Sequence, residues 1–148
     1  MDKTYFAWLG SWWRNIAREN FPTNGRPFDL NYLSAIERLK SDLKESMLQK
    51  GNWNHLIMDE AQDFASDAHK MFGFILNAFG NIAGEIKPSI LILADENQRL
   101  NQKTNATIKQ IETAYFLGEE DVYQLKKNYR NTREIAELAR FFYTGLQS

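Results

Sequence analysis

His55-Leu56-Ile57-Met58-Asp59-Glu60-Ala61-Gln62-Asp63 is the stretch that decides how this chain folds. A short apolar run passes directly into two adjacent carboxylates, with a third carboxylate three residues later. Four residues are too few for a core helix and suit a buried strand of a parallel sheet. Carboxylates directly after such a strand lie at its carboxyl end, the edge where open α/β sheets bind their ligands.

Helical patterns flank that strand on both sides. Upstream, Leu33, Ile36, Leu39, Leu43 and Met47 recur at three and four after Asp29, with charged residues between them and Gly51 as the stop. Before the Pro/Gly-containing segment Phe21–Pro27, residues 4–18 read as a helix carrying Trp8, Leu9, Trp12, Trp13 and Ile16. Downstream, Phe72, Ile75, Leu76 and Phe79 mark a helix ending near Gly80 and Gly84. Ile90–Ala94 follows as a second strand, and Ile108, Ile111 and Tyr115 share a helix face closed by Gly118. Val122–Leu125 reads as a third strand, and Asn131 with Glu134 opens a last helix in a capping-box pattern. Strands alternating with helices predict an α/β fold with a parallel sheet covered on both faces.

Three polar motifs stand at strand or helix ends. In Asp59-Glu60-Ala61-Gln62-Asp63 one carboxylate can hold a hydrated Mg²⁺ while its neighbour polarises a water for attack on a phosphoryl group. In Ala94-Asp95-Glu96-Asn97-Gln98 the glutamine amide can sense a terminal phosphate. In Leu125-Lys126-Lys127-Asn128-Tyr129-Arg130-Asn131 the arginine fork can clamp a phosphate and Tyr129 can stack on a base. Taken singly, these are equally an acidic turn, a polar loop and a basic helix start.

Taken together, their order and spacing resemble the second, third and fourth conserved motifs of UvrD/Rep-type superfamily 1 DNA helicases. Asp95 lies 36 positions after Asp59, and Asn128 lies 33 after Asp95. The D-E-A-Q-D motif points to that family rather than to the D-E-A-D-type RNA helicases. Thr4-Tyr5-Phe6-Ala7-Trp8 resembles the segment with which these enzymes touch single-stranded DNA. One departure is Ala94, where the family usually has glycine. The resemblance implies a partial RecA-like sheet of the P-loop NTPase type. Residues 1–121 would form the C-terminal part of the first motor domain and 122–148 the start of the second. It implies Mg²⁺ and ATP, with Asp59 on the metal and Glu60 activating water. Gln62 and Gln98 would report on the γ-phosphate beside Asp95, Arg130 would contact that phosphate, and Tyr129 would stack near the adenine. Thr4, Tyr5, Phe6 and Trp8 would touch DNA.

The remaining signals bound this reading. The chain has 148 residues, 43% hydrophobic and 25% charged, with a net charge of −1, so no global field draws it to nucleic acid. Absence of cysteine excludes disulfides and thiolate metal sites, and two histidines are too few for a histidine cluster. No apolar run approaches membrane-spanning length, and the N-terminus lacks a signal-peptide layout, which predicts a cytoplasmic protein without a membrane partner. None of the eight glycines precedes lysine, so no Gly-Lys-Ser/Thr phosphate loop is present. The expectation is a piece of an ATP-dependent helicase motor, inactive alone, that needs the remainder of the motor or self-associates along an unpaired sheet edge. The alternative is a catalytically inactive helicase-like module that binds DNA or a partner protein.

Overall fold

The computed structural model describes residues 4–42, 50–80, 88–95 and 105–125. Along the chain run α1 (Tyr5–Ala17), α2 (Tyr32–Asp42), β1 (His55–Met58), α3 (Ser66–Gly80), β2 (Ser89–Ile92) and α4 (Ile108–Tyr115). The fold is mixed α/β, with a small two-stranded parallel sheet and flanking helices. Contacts divide the chain into two units, Met1–Phe116 and Leu117–Ser148. No helix among the described residues is long and apolar enough to cross a membrane.

α1 forms because Leu9, Trp12, Trp13 and Ile16 fall on one stripe, and all four are buried. Arg18, in the left-handed conformation, ends it by donating its N–H to the Arg14 carbonyl. Trp12 donates its indole N–H to the Gly51 carbonyl at 2.7 Å, tying α1 to the segment before β1. That segment is still helical at Lys50 and Gly51, so the helix stop foreseen at Gly51 falls after it. In α2 the buried positions are Ala35, Ile36 and Leu39. Leu33 faces solvent, because the buried stripe is set one position away from it. Leu43 and Met47 lie outside the described residues. α4 starts with a reciprocal capping box between Thr107 and Gln110 and stops at Phe116, whose left-handed conformation, rather than Gly118, closes it.

β1 and β2 pair in parallel register, His55 opposite Ser89 and Met58 opposite Ile92. Leu56, Met58, Ile90 and Ile92 pack against the helical core, as period-two alternation requires. Among the described residues the expected cover is seen on that face and not on the opposite one. Ile57 is 66% exposed and its partner Leu91 55%, so the described helices cover one face only. Val122–Leu125 is not a strand: no partner among the described residues pairs with it, and Leu125 is 93% exposed. Val122 and Leu125 are an odd number of positions apart, so an extended chain would put them on opposite faces. The unit they belong to shows a 3₁₀ turn at Glu119–Asp121, closed by the Gly118 N–H on the Asp121 carboxylate at 3.0 Å. The helix expected from Asn131 lies outside the described residues.

α3 packs on α2 and α4. At the α3–α4 crossing the backbones touch, and a Cβ on Gly73 would overlap the Ala114 carbonyl oxygen. Gly10, in the middle of α1, has open space around its missing Cβ. Gly73→Ala is therefore expected to cost about 2 kcal/mol or more, the scale of an overpacked core. Gly10→Ala should gain up to about 1 kcal/mol from helix propensity. Urea unfolding of the two variants checks this. Equal stability for Gly73→Ala and the parent would refute the close crossing.

Candidate functional site

Parallel pairing sends both strands out of the sheet at the same end. Past β1 come Asp59 and Glu60, and past β2 come Ala94 and Asp95, so the first two acidic motifs meet at one edge. The backbone ladder continues into this region. Leu93 donates its N–H to the Met58 carbonyl, and Ala61 donates to the Leu93 carbonyl, both at 2.9 Å.

Glu60 occupies the left-handed region, with φ 49 and ψ 43, a conformation that costs a residue with a side chain roughly 1–2 kcal/mol. Local bonds offset the strain. Asp59 Oδ1 accepts the Glu60 N–H at 2.9 Å, and the Glu60 carbonyl accepts the Asp63 N–H at 2.9 Å. The chain then closes a 3₁₀ turn over Ala61–Asp63, followed by extended Phe64. Asp59 and Glu60 are exposed, whereas Ala61 and Gln62 are fully buried.

Gln62 joins the two strand ends. Its Nε2 donates to Glu60 Oε2 at 2.7 Å, and its Oε1 accepts the Asp95 N–H at 2.9 Å. A buried amide left unpaired would be costly, so these bonds specify where Glu60 and Asp95 sit. On the far side of the turn, Asn105 Nδ2 donates to Asp63 Oδ1 at 3.2 Å, and the Ala106 N–H donates to the Phe64 carbonyl at 2.9 Å.

His69, on α3, closes the network from within the core. Its Nε2 lies 2.9 Å from the Ala61 carbonyl and its Nδ1 lies 3.2 Å from the Tyr115 hydroxyl. A carbonyl only accepts, so Nε2 carries the proton, and Nδ1 accepts from Tyr115. Burial pushes its pKa down and outweighs the Ala61 bond, which favours the charged ring. Burial also raises the phenol pKa values of Tyr5, Tyr32 and Tyr115. Sequence reasoning passed over His69, although it stands three positions before Phe72 on the same apolar stripe of α3.

At the N-terminus Thr4 and Phe6 face solvent, and Phe6 meets exposed Phe28 edge-on at 5.4 Å. Tyr5 and Trp8 are turned inward. Tyr5 shares a 2.9 Å hydroxyl bond with Tyr32 and packs on Phe64, while Trp8 stacks on Trp12. Gln98, Tyr129 and Arg130 lie outside the described residues. A groove of about 500 Å³ runs between α3 and α4, lined by Phe74, Phe116, Lys70 and Lys109 among others. Asp59, Glu60, Gln62 and Asp95 are not in its wall, and the convergence of carboxylates puts the candidate chemistry at the strand ends instead.

The described residues contain no group of three or more His, Cys, Asp or Glu side chains able to hold a metal. A hydrated Mg²⁺ needs only one or two carboxylates. Asp59 fits that demand, being exposed with one oxygen on the Glu60 amide and Oδ2 left over.

The lowered His69 pKa has a signed consequence. A histidine that binds its proton more weakly in the folded state contributes stability above the ordinary histidine value of about 6.5 and loses it as pH falls below that value. In urea unfolding, the stability advantage of the parent over His69→Gln should be larger at pH 7.5 than at pH 5.5. An advantage that grows on acidification would contradict a neutral buried ring.

No family model, curated protein or solved structure matches the chain, so its chemistry rests on the geometry of these residues.

Proposed function

We propose that the chain is part of an ATP-driven motor acting on single-stranded DNA, of the UvrD/Rep type and built on a RecA-like sheet. The observation that carries this reading is the meeting of two acidic strand ends at one edge of a parallel sheet, joined through a fully buried glutamine. Carboxylates at that position suit phosphoryl chemistry.

Asp59 would hold Mg²⁺, which neutralises phosphate charge when bound. Glu60 is the base: Oε2 is held by Gln62, leaving Oε1 for the proton of an attacking water. Gln62 acts from behind Glu60, transmitting the position of the Asp95 amide to the carboxylate. Gln98, Arg130 and Tyr129 retain the roles that the motif resemblance implies, towards the γ-phosphate and the adenine. Thr4 and Phe6 are the residues of the N-terminal segment that face solvent and would touch DNA, while Tyr5 and Trp8 support them from inside. The rest of the motor would supply the phosphate loop that this sequence lacks.

A second reading has its own observation. The bare apolar face at Ile57, Leu91 and Leu93 suits a module that binds a partner protein without hydrolysing ATP.

Two measurements test the motor reading. Phosphate release by this chain alone at saturating Mg-ATP should stay at the buffer background, with or without single-stranded DNA. Turnover abolished by Glu60→Gln would mean a phosphate cradle of another kind. In a motor completed with the missing segments, Glu60→Gln should leave nucleotide binding in place and cut turnover about 10²-fold or more, as loss of a general base does. Unchanged turnover in that variant would refute the role of Glu60.

A further inference from the structure

His69 is the one titratable side chain that is fully buried among the described residues, and the chemistry proposed above does not use it. Its environment is specific. Nε2 donates to the Ala61 carbonyl, Nδ1 accepts from Tyr115 of α4, and the rings of Phe64 and Tyr115 meet it edge-on at 6.2 and 5.7 Å.

The position of the Nε2 bond matters because of Glu60. A left-handed glutamate relaxes by turning its flanking peptide groups, unless they are held. The peptide after Glu60 is held at both ends, by the Asp63 N–H and by the Leu93 carbonyl. The next peptide, between Ala61 and Gln62, presents its carbonyl to His69. Without that bond, the Ala61 carbonyl would keep only the Phe64 N–H at 3.2 Å, and the Gln62 side chain that orients Glu60 would hang from a peptide held on its carbonyl side by that one bond.

We infer that His69 is a positioning residue for Glu60: clamped between Tyr115 and the Ala61 carbonyl, it fixes the turn from which Gln62 holds the Glu60 carboxylate. The inference rests on the reading of Glu60 as the base, and it extends the site inward to α3 and α4. It also makes the tautomer part of the site, since only a ring with its proton on Nε2 satisfies both neighbours in this geometry.

The test uses the ¹⁵N-labelled 148-residue chain and three variants. His69→Phe keeps a ring but removes donor and acceptor, His69→Gln keeps an amide donor near the place of Nε2, and Tyr115→Phe removes only the hydroxyl. In His69→Phe the Ala61 and Asp63 amides should exchange with solvent about 10-fold faster relative to Ser89 and Ile111, a local opening rather than a global one. The Gln62 side-chain amide resonances should move towards the solvent-exposed position. His69→Gln should restore both readouts to within about 3-fold of the parent, and Tyr115→Phe should show a smaller change at the same residues.

Equal acceleration at Ser89 and Ile111, or a His69→Gln variant no closer to the parent than His69→Phe, would overturn the inference and leave His69 as core packing. Should His69→Phe fail to fold, the comparison of His69→Gln and Tyr115→Phe with the parent decides, and the absence of a selective change in Tyr115→Phe overturns the inference. Mn²⁺ added to the parent chain separates this from the proposed chemistry. Broadening centred on Asp59 supports the metal reading. Its absence removes that reading, while the exchange data still decide whether His69 holds the turn.

Discussion

The backbone ladder between His55–Met58 and Ser89–Ile92 runs parallel and in one register, and the acidic edge depends on it. A parallel pair must leave the sheet on the same side, so Asp59 and Asp95 follow their strands at the same edge, where Gln62 bridges the two ends. A slip of one residue would turn Leu56 and Met58 out to solvent and bring His55 and Ile57 inward. The ladder is therefore enforced by burial on its core face. It then outlasts the strands, because the Leu93 and Ala61 amides carry the pairing into the turn. The strained Glu60 sits where that extension meets the turn's own hydrogen bonds.

Below this edge the polar groups are arranged by depth. Asp59 and Glu60 are at the surface, Gln62 lies beneath them without exposed area, and His69 lies beneath the turn. Each deeper group satisfies the one above it, and electrostatic bonds gain strength as water is excluded. The same row leads sideways, since Phe64 packs on Tyr5 at 4.7 Å. The first turn of α1 thus touches the residue directly after Asp63.

Much of the backbone was legible in the sequence, for identifiable reasons. α1, α3 and α4 have apolar residues at helical spacing, and both strands are short apolar runs with a turn signal at each end. The cover of the sheet was not legible. A run such as Leu56-Ile57-Met58 is apolar at every position, so it carries no record of which face the helices take, and Ile57 and Leu91 were left to solvent. Val122–Leu125 misled because β-prone residues look like a strand even where no described neighbour pairs with them. In the site, the carboxylates could be read because their chemistry is in their side chains. The bridge made by Gln62 and the donor role of His69 could not, because both depend on burial and on contacts 33 and 8 residues away in sequence.

The tryptophans give the molecule an optical property of its own. All four belong to one aromatic row: Trp8 stacks on Trp12 at 5.9 Å, and Trp12 meets Trp13 and Trp53 at 6.4 and 5.9 Å. At such separations excitation passes freely between indoles, so their emission behaves as one signal. That signal belongs to the seating of α1 against Phe72 and the segment that leads into β1. No indole borders Asp59 or Glu60 in that row. The chain's intrinsic light therefore reports on the seating of its first helix, and the acidic edge is spectrally dark unless a chromophore is introduced there.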